Sequence, residues 1–282
     1  MTTALVPKRS SIPFAGSGLF AGKKTSPGTE LFLEHYPLIA LPDDAHIANI
    51  CSWCLLLPAE NTELKRCASC KIVKYCSQPH QSLDWTQGGH KFECRDIYTP
   101  LSPRVLPASV RVAIRLLLLR PRLEKDGKWS DVVRLQHHVE QFRNDPERWS
   151  GICLMSKAVK EYSTTDLDEG SVVEFYCRVL TNTITITSMV SPGPEGVGLC
   201  FHPLAAALNH SCEPSMEVVF DGRSLMGRTL RTVEEGEELT VGYIDLDMTV
   251  SERRKELQKR WWFLCECGRC QREMGKGKGR IV

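Results

Sequence analysis

The sequence lacks a dominant charge of either sign and any long hydrophobic run. Its 36 Lys and Arg residues stand against 34 Asp and Glu residues, which leaves a formal net charge of +2 over 282 residues. Proteins that coat nucleic acid carry a much larger positive charge, so this balance argues against direct DNA binding. An aliphatic run such as Leu116–Leu119 is far too short to span a bilayer, and Met1–Ser10 has no apolar signal-peptide core. We therefore expect a protein that stays inside the cell and has no membrane partner.

Cysteine, in contrast, is abundant, with 13 residues in the chain. A disulfide framework is typical of short secreted proteins, whereas ten of these cysteines stand in the close spacings that zinc ligands adopt. The other three, Cys153, Cys177 and Cys200, lie among apolar residues and are interpreted as small buried hydrophobic side chains. This usage predicts a reducing compartment, which is the nucleus or the cytosol.

Four short pairs of cysteine and histidine lie between positions 51 and 94. They are Cys51-x2-Cys54, Cys67-x2-Cys70, Cys76-x3-His80 and His90-x3-Cys94. Two tetrahedral zinc ions require eight thiolate or imidazole ligands, which is the number present. The pairs therefore predict two zinc sites in this segment.

A further cysteine triplet near the C-terminus lacks one ligand for a third zinc site. The triplet is Cys265-x-Cys267-x2-Cys270, and Cys212, far upstream in the run Asn209-His210-Ser211-Cys212, is the candidate for the fourth position. A metal bound by all four would hold the C-terminal segment over Asn209 and His210 and form a pocket between them. Twelve ligands at four per site predict about three zinc ions in the chain.

The order of these motifs resembles a known family. The run at 209–212, followed by Gly236-Glu-Glu-Leu239, Tyr243 and the cysteine triplet, resembles the SET-domain protein methyltransferases that carry a post-SET zinc site. With the upstream pairs the chain resembles the SMYD family, in which a MYND zinc finger interrupts the SET domain. The resemblance implies an α+β fold, namely a mostly-β SET fold of small sheets with helical insertions, an inserted MYND finger and a post-SET zinc segment. The implied boundaries are 1–48 for the SET N-terminal part, 49–97 for the finger, 98–247 for the SET insertion and core, and 248–282 for the post-SET segment and basic tail.

The resemblance also implies how the finger shares its ligands. The two sites interleave, with one ion bound by Cys51, Cys54, Cys76 and His80 and the other by Cys67, Cys70, His90 and Cys94. His80 replaces the usual cysteine, and because imidazole binds zinc well we expect the site to survive. The zinc ions stabilise a segment too small to fold alone, and MYND modules also dock short Pro-rich peptides. The near balance of basic and acidic residues in the finger favours a peptide partner over DNA.

The family binds S-adenosyl-L-methionine, and its cofactor positions transfer residue by residue. The residues implied are Gly16, Gly18, Asn182, Asn209, His210, Tyr243 and Phe263. The Gly16-x-Gly18 pair alone is an ordinary hairpin turn, which the family places against the cofactor. Asn209 is expected to hold the amino-acid end of the cofactor, and His210 to border its adenine.

Tyr243 is, by the same resemblance, the catalytic tyrosine that orients the substrate amine. Taken alone, it would be a strand tyrosine packed on the core. Tyr243 and Phe263 are the candidates for an aromatic channel that receives a lysine side chain. The family has serine or asparagine before this tyrosine, whereas Gly242 stands here, so we expect loop geometry and rate to differ.

The resemblance implies methyl transfer from S-adenosyl-L-methionine to the side-chain amine of lysine in a protein, which is a histone tail or a non-histone protein. The alternative is a zinc-stabilised adaptor with an inactive SET pocket that recruits partners through the finger. The joint presence of the glycine pair, Asn209, His210 and Tyr243 favours the enzyme.

Local patterns predict secondary structure around these motifs. Residues 1–13 begin as a loose arm, and a helix follows Pro103 with Val110, Ala113, Ile114 and Leu117 on its apolar face. A second helix contains Val132, Leu135, Val139 and Phe142, with His137 and His138 facing solvent. The arginines between 104 and 122 are interpreted as a solvated helix face.

The second half of the chain is predicted to contain strands at 181–188, 216–220, 225–230 and 238–243, with a loop at 191–198. The box Thr249-x-x-Glu252 predicts a helix at 253–260, before a flexible basic tail at 275–280. The acidic residues Glu234, Glu235, Glu237 and Glu238 either attract a basic substrate or form a solvated turn, and the sequence leaves both open.

Overall fold

The structure, a computed structural model, describes residues 5–13, 15–60, 62–187 and 196–277, with side chains described in these ranges up to residue 275. Parts of the predicted arm, strand, loop and tail, at residues 1–4, 188, 191–195 and 278–280, lie outside the described residues, as does Phe14. No helix within the described ranges is long and apolar enough to cross a bilayer.

The described residues form twelve strands in four small sheets. The strands are Leu5–Arg9 (β1), Ser17–Ala21 (β2), Glu30–Glu34 (β3), Ile39–Pro42 (β4), Lys65–Arg66 (β5), Lys74–Tyr75 (β6), Ile184–Thr187 (β7), Gly196–Phe201 (β8), Asn209–His210 (β9), Met216–Asp221 (β10), Ser224–Thr229 (β11) and Glu238–Val241 (β12). The strand orders are β1-β2-β12-β9, β10-β11-β3, β4-β8-β7 and β5-β6.

The helices lie mainly between β6 and β7 and after β12. They are Gln78–Leu83 (α1), His90–Glu93 (α2), Thr99–Leu101 (α3), Ala108–Lys125 (α4), Trp129–Val133 (α5), Val139–Arg143 (α6), Pro146–Ser163 (α7), Glu169–Asn182 (α8), Pro203–Ala206 (α9), Val250–Trp261 (α10) and Gly268–Gly277 (α11), with π-helical turns at Asp84–Gly88 and Cys94–Tyr98. Separate small sheets combined with helices confirm the α+β class.

The chain divides into two compact units. The first unit comprises Met1–Glu34, Ala207–Val219 and Met226–Val282, and the second comprises His35–Ala206 and Phe220–Leu225. The domain boundaries given above from the resemblance stay a prediction.

A four-stranded sheet organises the first unit. Strand β1 pairs with β2 in antiparallel register, β12 continues the sheet on the other side of β2, and β9 pairs with β12 in parallel. Leu19 and Leu239 are register partners and both are buried. A loose arm does not extend to Leu5–Arg9, because all five residues of this segment pair with β2.

The predicted elements of the C-terminal half are largely confirmed. Strands β10, β11 and β12 lie where alternation placed them, and the box at Thr249 caps α10 in both directions: Glu252 N donates to Thr249 Oγ1 over 3.3 Å, and Thr249 N donates to the Glu252 carboxylate over 2.9 Å. Helix α11 runs to Gly277, so the predicted flexible tail is wrong at residues 275–277.

The second unit holds the sheet β4-β8-β7 and the helices α4, α7 and α8. Strand β8 begins at Gly196, which makes the predicted loop wrong at residues 196–198. Strand β7 covers only Ile184–Thr187, because α8 continues to Asn182.

The first predicted helix after Pro103 is confirmed by α4, in which Val110, Ala113 and Ile114 are fully buried. The second is wrong, since its residues form two short helices, α5 and α6. His138 has φ of 49° and breaks the run. Both His137 and His138 are half-buried rather than solvent-facing.

The solvated arginine face predicted for α4 is also wrong at two positions. Arg111 is 1% exposed and its Nη2 donates to the Pro42 carbonyl and the Asp44 carboxylate, each over 2.9 Å. Arg115 is 3% exposed and makes a bidentate pair with buried Glu93 over 2.8 and 2.7 Å. Burial alone would raise the pKa of Glu93, but the charge of Arg115 holds it below its usual value. The ion pairs of these two buried arginines therefore connect separate segments of the second unit.

Candidate active site and metal centres

The parallel pairing of β9 with β12 sets the centre of the candidate site in the first unit. Asn209 lies opposite Thr240, and His210 lies opposite Val241. Two residues beyond β12, the backbone N of Tyr243 donates to His210 Nδ1 over 3.0 Å. The structure thus brings Asn209, His210 and Tyr243 together, although more than thirty positions separate the two segments.

The imidazole of His210 connects Tyr243 to a metal ligand. Because Nδ1 accepts from the backbone of Tyr243, the ring proton belongs on Nε2, which lies 3.3 Å from Cys212 Sγ. The side chain is 4% exposed, and burial lowers the pKa of His210 to about 4, so the ring is neutral at pH 7. Both ring nitrogens are occupied, which leaves the ring face and the main chain for the adenine contact that the resemblance implies.

Tyr243 is held by its hydroxyl as well as its backbone. The hydroxyl donates to the Leu208 carbonyl over 2.6 Å. Its ring centroid lies 5.3 Å from that of His210 and 5.1 Å from that of Trp261. Burial, followed by the nearby charge of Glu238, raises the pKa of Tyr243 well above its usual value. The hydroxyl therefore stays protonated across the neutral and mildly alkaline range.

Phe263 completes an aromatic wall. Trp262 caps α10 with φ of 60°, and this left-handed residue turns the chain. Phe263 then places its ring centroid 6.0 Å from that of His210. Phe263 was predicted as part of the aromatic channel, whereas Trp261 was not.

Two polar side chains lie directly over Gly18 and leave little room for a Cβ. A Cβ on Gly18 would stand 2.2 Å from Glu238 Oε1 and 2.8 Å from Asn209 Nδ2. Asn209 Nδ2 donates to that Glu238 oxygen over 2.7 Å and to the Ser17 carbonyl over 3.0 Å. Ser10 Oγ donates to the same carboxylate over 2.8 Å.

The preceding turn also uses glycine, since Gly16 has φ of 71°. The sequence left open whether Glu238 attracts a basic substrate or belongs to a solvated turn, and its position beside Asn209 was not predicted. The sequence feature that could have indicated this position is the alternation of side chains along a strand. Glu238 lies on the same strand face as Thr240, which is the register partner of Asn209. By contrast, Glu234 and Glu237 form surface ion pairs with Lys24 and Arg231.

Asn182 lies in the second unit and is the last residue of α8 rather than the first of a strand. Its side chain is 9% exposed, and its Nδ2 donates to the carbonyls of Gln136 and Arg178, each over 2.7 Å. Its contact with the cofactor stays a prediction.

Four thiols of the first unit converge as predicted. The ligand atoms of Cys212, Cys265, Cys267 and Cys270 all lie within 4.8 Å of one another. Cys212 Sγ is 3.8 Å from Cys265 Sγ and 3.5 Å from Cys270 Sγ. Zinc bonds of about 2.3 Å in a tetrahedron give sulfur separations of about 3.8 Å, so the thiol set fits zinc.

Arg253 lies beside this thiol cluster and was not foreseen from the sequence. It is 1% exposed, and its Nη2 is 3.9 Å from Cys270 Sγ and 2.6 Å from the Glu273 carboxylate. Four thiolates around Zn²⁺ carry a net charge of about −2, so a guanidinium in this position stabilises the loaded cluster.

The second unit contains the other two ligand sets, grouped as predicted. Cys51, Cys54, Cys76 and His80 form one, and Cys67, Cys70, His90 and Cys94 form the other, each with all ligand atoms within 4.8 Å. His80 presents Nδ1 and His90 presents Nε2 to the neighbouring sulfurs. After the first two cysteine pairs the chain reverses through left-handed residues, Leu55 and Lys71. The substitution of His80 for cysteine thus keeps a ligand atom in the cluster.

The three remaining cysteines lie apart from these clusters. Cys177 and Cys200 are fully buried and Cys153 is half-buried. Burial raises the pKa of both Cys177 and Cys200 to about 12. They are therefore unreactive packing residues, as their apolar sequence context indicated.

Comparison with known proteins agrees with these clusters. The family model for the MYND finger matches residues 51–94. The SET domain and MYND-type zinc finger protein 6 of Schizosaccharomyces pombe is 29% identical over 93% of this chain and 51% of its own length. The histone-lysine N-methyltransferase SMYD3 of Homo sapiens is 31% identical over 91% of this chain and 59% of its own. The histone-lysine N-methyltransferase ASHR1 of Arabidopsis thaliana is 26% identical over 93% and 54%.

The chain spans between about half and three-fifths of the length of these relatives. A solved structure of Rubisco LSMT bound to AdoMet aligns with 94% of this chain and 52% of its own at 14% identity, with a TM-score of 0.47. The sequence relatives and the three ligand clusters carry the assignment. Residues 51–94 match the MYND finger family, and over more than nine-tenths of its length the chain is similar to proteins named as SET-domain and MYND-finger proteins and as histone-lysine N-methyltransferases.

Proposed function

We propose that this chain transfers a methyl group from S-adenosyl-L-methionine to the side-chain amine of a lysine in a protein substrate. The supporting observation is the connected set in the first unit, in which Tyr243 N bonds to His210 Nδ1 and His210 Nε2 meets the zinc ligand Cys212. A tyrosine fixed in this way is suited to orient a substrate amine. The names of the SMYD3 and ASHR1 relatives agree with the same reaction.

The polar groups over Gly18 suit the amino-acid end of the cofactor. Both hydrogens of Asn209 Nδ2 are used by Glu238 and the Ser17 carbonyl, so Oδ1 is left as an acceptor. The Glu238 carboxylate adds a negative charge beside it. An acceptor and a carboxylate together favour a cationic ammonium over a carboxylate. We assign the ammonium end of the cofactor to Asn209 and Glu238.

When bound, S-adenosyl-L-methionine supplies an electrophilic methyl group on a positively charged sulfur. Tyr243 contributes orientation, because its hydrogen is given to the Leu208 carbonyl and its oxygen lone pairs are left to accept from a substrate amine. Alignment of this kind supplies several kcal/mol towards a displacement, on the order of 7 or more in favourable cases.

The aromatic rings around Tyr243 contribute to the protonation state of the substrate. A free lysine has a pKa of about 10.4, and removal of its ammonium from water disfavours the charged form. Trp261 and Phe263, which pack beside Tyr243 and His210, provide a water-poor surface for the side chain. The lysine nitrogen is thereby presented as the neutral nucleophile.

The three metal sites take a structural role in this proposal. Each has four protein ligands, which leaves no coordination position for substrate. The Cys212 cluster holds the segment that carries Phe263 against the one that carries His210, since Phe263 packs with the cysteines and its ring centroid lies 6.0 Å from that of His210.

The substrate is a protein, and a histone tail is one form of it, in line with the names of the relatives. On the finger, Trp85 is 42% exposed and offers an aromatic face of the kind that Pro-rich peptides use. The free cysteines of the described chain suit a reducing compartment, which supports the nucleus or the cytosol as the location.

The test is a Tyr243→Phe variant, which removes only the hydroxyl. We expect cofactor binding to persist and methyl transfer to fall by about 100-fold, since a misoriented amine loses alignment. Tyr176→Phe is the matched control, because it removes a buried hydroxyl that bonds to Ser109 in the second unit over 2.9 Å. Turnover by the Tyr243 variant equal to that of the control would exclude Tyr243 from the reaction.

A further inference from the structure

A small cavity in the second unit lies between the segment around Trp53 and Cys54, at the start of the finger, and the tip of the β10–β11 hairpin at Asp221–Ser224. Its volume is about 260 Å³. Its walls include His35, Tyr36, Trp53, Asp221, Arg223 and Ser224. Sites for drug-sized ligands are about 300–1,000 Å³, so this cavity suits a group the size of one side chain.

Arg223 is the notable residue of this cavity, because it is buried and makes no ion pair with any described carboxylate, although the charge of Asp84 acts on it from a distance. It is 8% exposed, and its Cζ lies 3.6 Å from the ring centroid of Trp53. Its Nη1 donates to the Trp53 carbonyl over 3.1 Å, whereas its Nε makes no hydrogen bond to any described residue. Burial lowers the pKa of Arg223 to about 10, so the group still carries its charge at neutral pH.

The other buried arginines of the described chain show what Arg223 lacks. Each pairs with a carboxylate at 3.0 Å or less: Arg111 with Asp44, Arg115 with Glu93, Arg178 with Glu174 and Arg253 with Glu273. A buried charge is costly unless it is paired and hydrogen-bonded. Within the described ranges Arg223 is thus the exception, and it lines a cavity.

We infer that this cavity binds the carboxylate side chain of an acidic peptide, with Arg223 as the charged partner. The Ser224 hydroxyl, which lies 3.5 Å from His35 Nδ1, supplies a second donor in the same wall. Exposed apolar residues also line the cavity, with Tyr36 at 60% and Leu56 at 39% exposure. A Glu or Asp flanked by an apolar residue therefore matches both the charge and the surface.

Asp221 narrows the choice of anion. It is exposed in the cavity wall and has no ion pair among the described residues. Its negative charge opposes a phosphate, which carries up to about −2, more strongly than a carboxylate with a charge of −1. The site is consequently assigned to a carboxylate, and it is separate from the methyl-transfer proposal because none of its residues belongs to the first unit.

The test uses the zinc-loaded full chain with ¹⁵N-labelled arginine. The tripeptide Leu-Glu-Leu, acetylated at its N-terminus and amidated at its C-terminus, is titrated into the protein, and the Nε–H resonance of Arg223 is followed by NMR. The peptides Leu-Gln-Leu and Leu-phosphoserine-Leu, blocked in the same way, serve as comparisons. We expect saturable shifts with Leu-Glu-Leu and about tenfold or more weaker binding of Leu-Gln-Leu, since only the former makes a charge-assisted pair. Equal binding of these two peptides, or tighter binding of the phosphoserine peptide, would overturn the assignment.

Two variants make the test independent of folding effects. Arg223→Gln should abolish binding of Leu-Glu-Leu, provided that its zinc content and thermal unfolding match the wild type. Asp221→Asn leaves the guanidinium in place and should tighten binding of Leu-Glu-Leu by about twofold or more, because it removes a repulsive charge. A weaker complex with Asp221→Asn would contradict the proposed position of the carboxylate, whether or not the arginine variant folds.

Discussion

The substitution Gly18→Ala tests how the first unit holds the cofactor. Its Cβ would stand 2.2 Å from Glu238 Oε1 and 2.8 Å from Asn209 Nδ2, where 3.4 to 4 Å is an ordinary contact. The Glu238 carboxylate must therefore move by about 1 Å or more, because the backbone of a paired strand is less free to yield than a side chain.

That movement has two separable consequences. It breaks or weakens the hydrogen bonds from Asn209 and Ser10 to Glu238, at 2.7 and 2.8 Å, and each is worth about 1 kcal/mol, so unfolding free energy falls by about 1–3 kcal/mol. It also displaces the two groups that we assign to the ammonium of S-adenosyl-L-methionine. Loss of a hydrogen bond to a charged group costs about 1.5–3 kcal/mol, which is a loss of about 10- to 100-fold in affinity.

Calorimetric titration of S-adenosyl-L-methionine into zinc-loaded protein measures the affinity, and urea denaturation measures the stability. The control is Gly151→Ala in α7, where a Cβ meets nothing within 4 Å, and alanine should be neutral or stabilise the helix by up to about 1 kcal/mol. In a Gly18→Ala/Glu238→Ala double variant the 2.2 Å clash is removed, but the 2.8 Å contact with Asn209 and the loss of the Glu238 carboxylate remain, so affinity should stay low. Affinity of Gly18→Ala within about twofold of wild type would refute the reasoning.

Three further predictions concern the metal cluster, the buried ion pair and the buried thiols. Arg253→Met should lower zinc affinity at the Cys212 cluster by about 10- to 100-fold, as measured by chelator competition. An unchanged affinity would show that Arg253 does not offset the negative charge of the zinc-loaded cluster. Arg115→Met leaves Glu93 charged and unpaired, so urea denaturation should show a loss of about 3–5 kcal/mol, and a loss below about 1 kcal/mol would contradict the burial of the pair. With the pKa of Cys200 raised to about 12, its reactive thiolate is scarce at pH 8 and increases only as pH rises. Mass spectrometry after iodoacetamide treatment of native protein should therefore find Cys200 unmodified, whereas rapid labelling would contradict its burial.

Metal ligands were the features most readily predicted from the sequence. Zinc imposes a ligand type, a number and a short spacing, so the eight ligands of the finger could be named from the sequence. Their division between the clusters around Cys51 and Cys67 came from the family resemblance. Cys212 was harder, because only the absence of a fourth ligand near Cys265 pointed to it. The capping box at Thr249 was equally direct, since its two hydrogen bonds are local.

Helix α7 shows why other elements were missed. Its buried stripe consists of Ile152, Ser156, Val159 and Ser163, and two serines interrupt the apolar period on which helix prediction depends. A similar limit applies to α4, where Arg111 and Arg115 resemble a solvated face until distant carboxylates are located. Charge pattern along one segment does not reveal partners contributed by another.

The residues of the candidate site also fall into a group that could be predicted from the sequence and a group that could not. Asn209, His210 and Tyr243 could be named because they occur in ordered motifs. The positions of Glu238 beside Asn209 and of Trp261 beside Tyr243 could not be predicted, because they depend on strand register and on tertiary packing. Such long-range contacts are set by tertiary packing rather than by local pattern.

The most direct test of methyl transfer uses zinc-loaded full chain and S-adenosyl-L-methionine with a labelled methyl group. Elemental analysis should first give about three zinc ions per chain. The chain should then bind the cofactor and place label on lysine side chains of histones or of proteins in a cell extract, as located by mass spectrometry. A folded chain with its zinc complement that binds no S-adenosyl-L-methionine would contradict the proposal and leave a zinc-stabilised adaptor in its place.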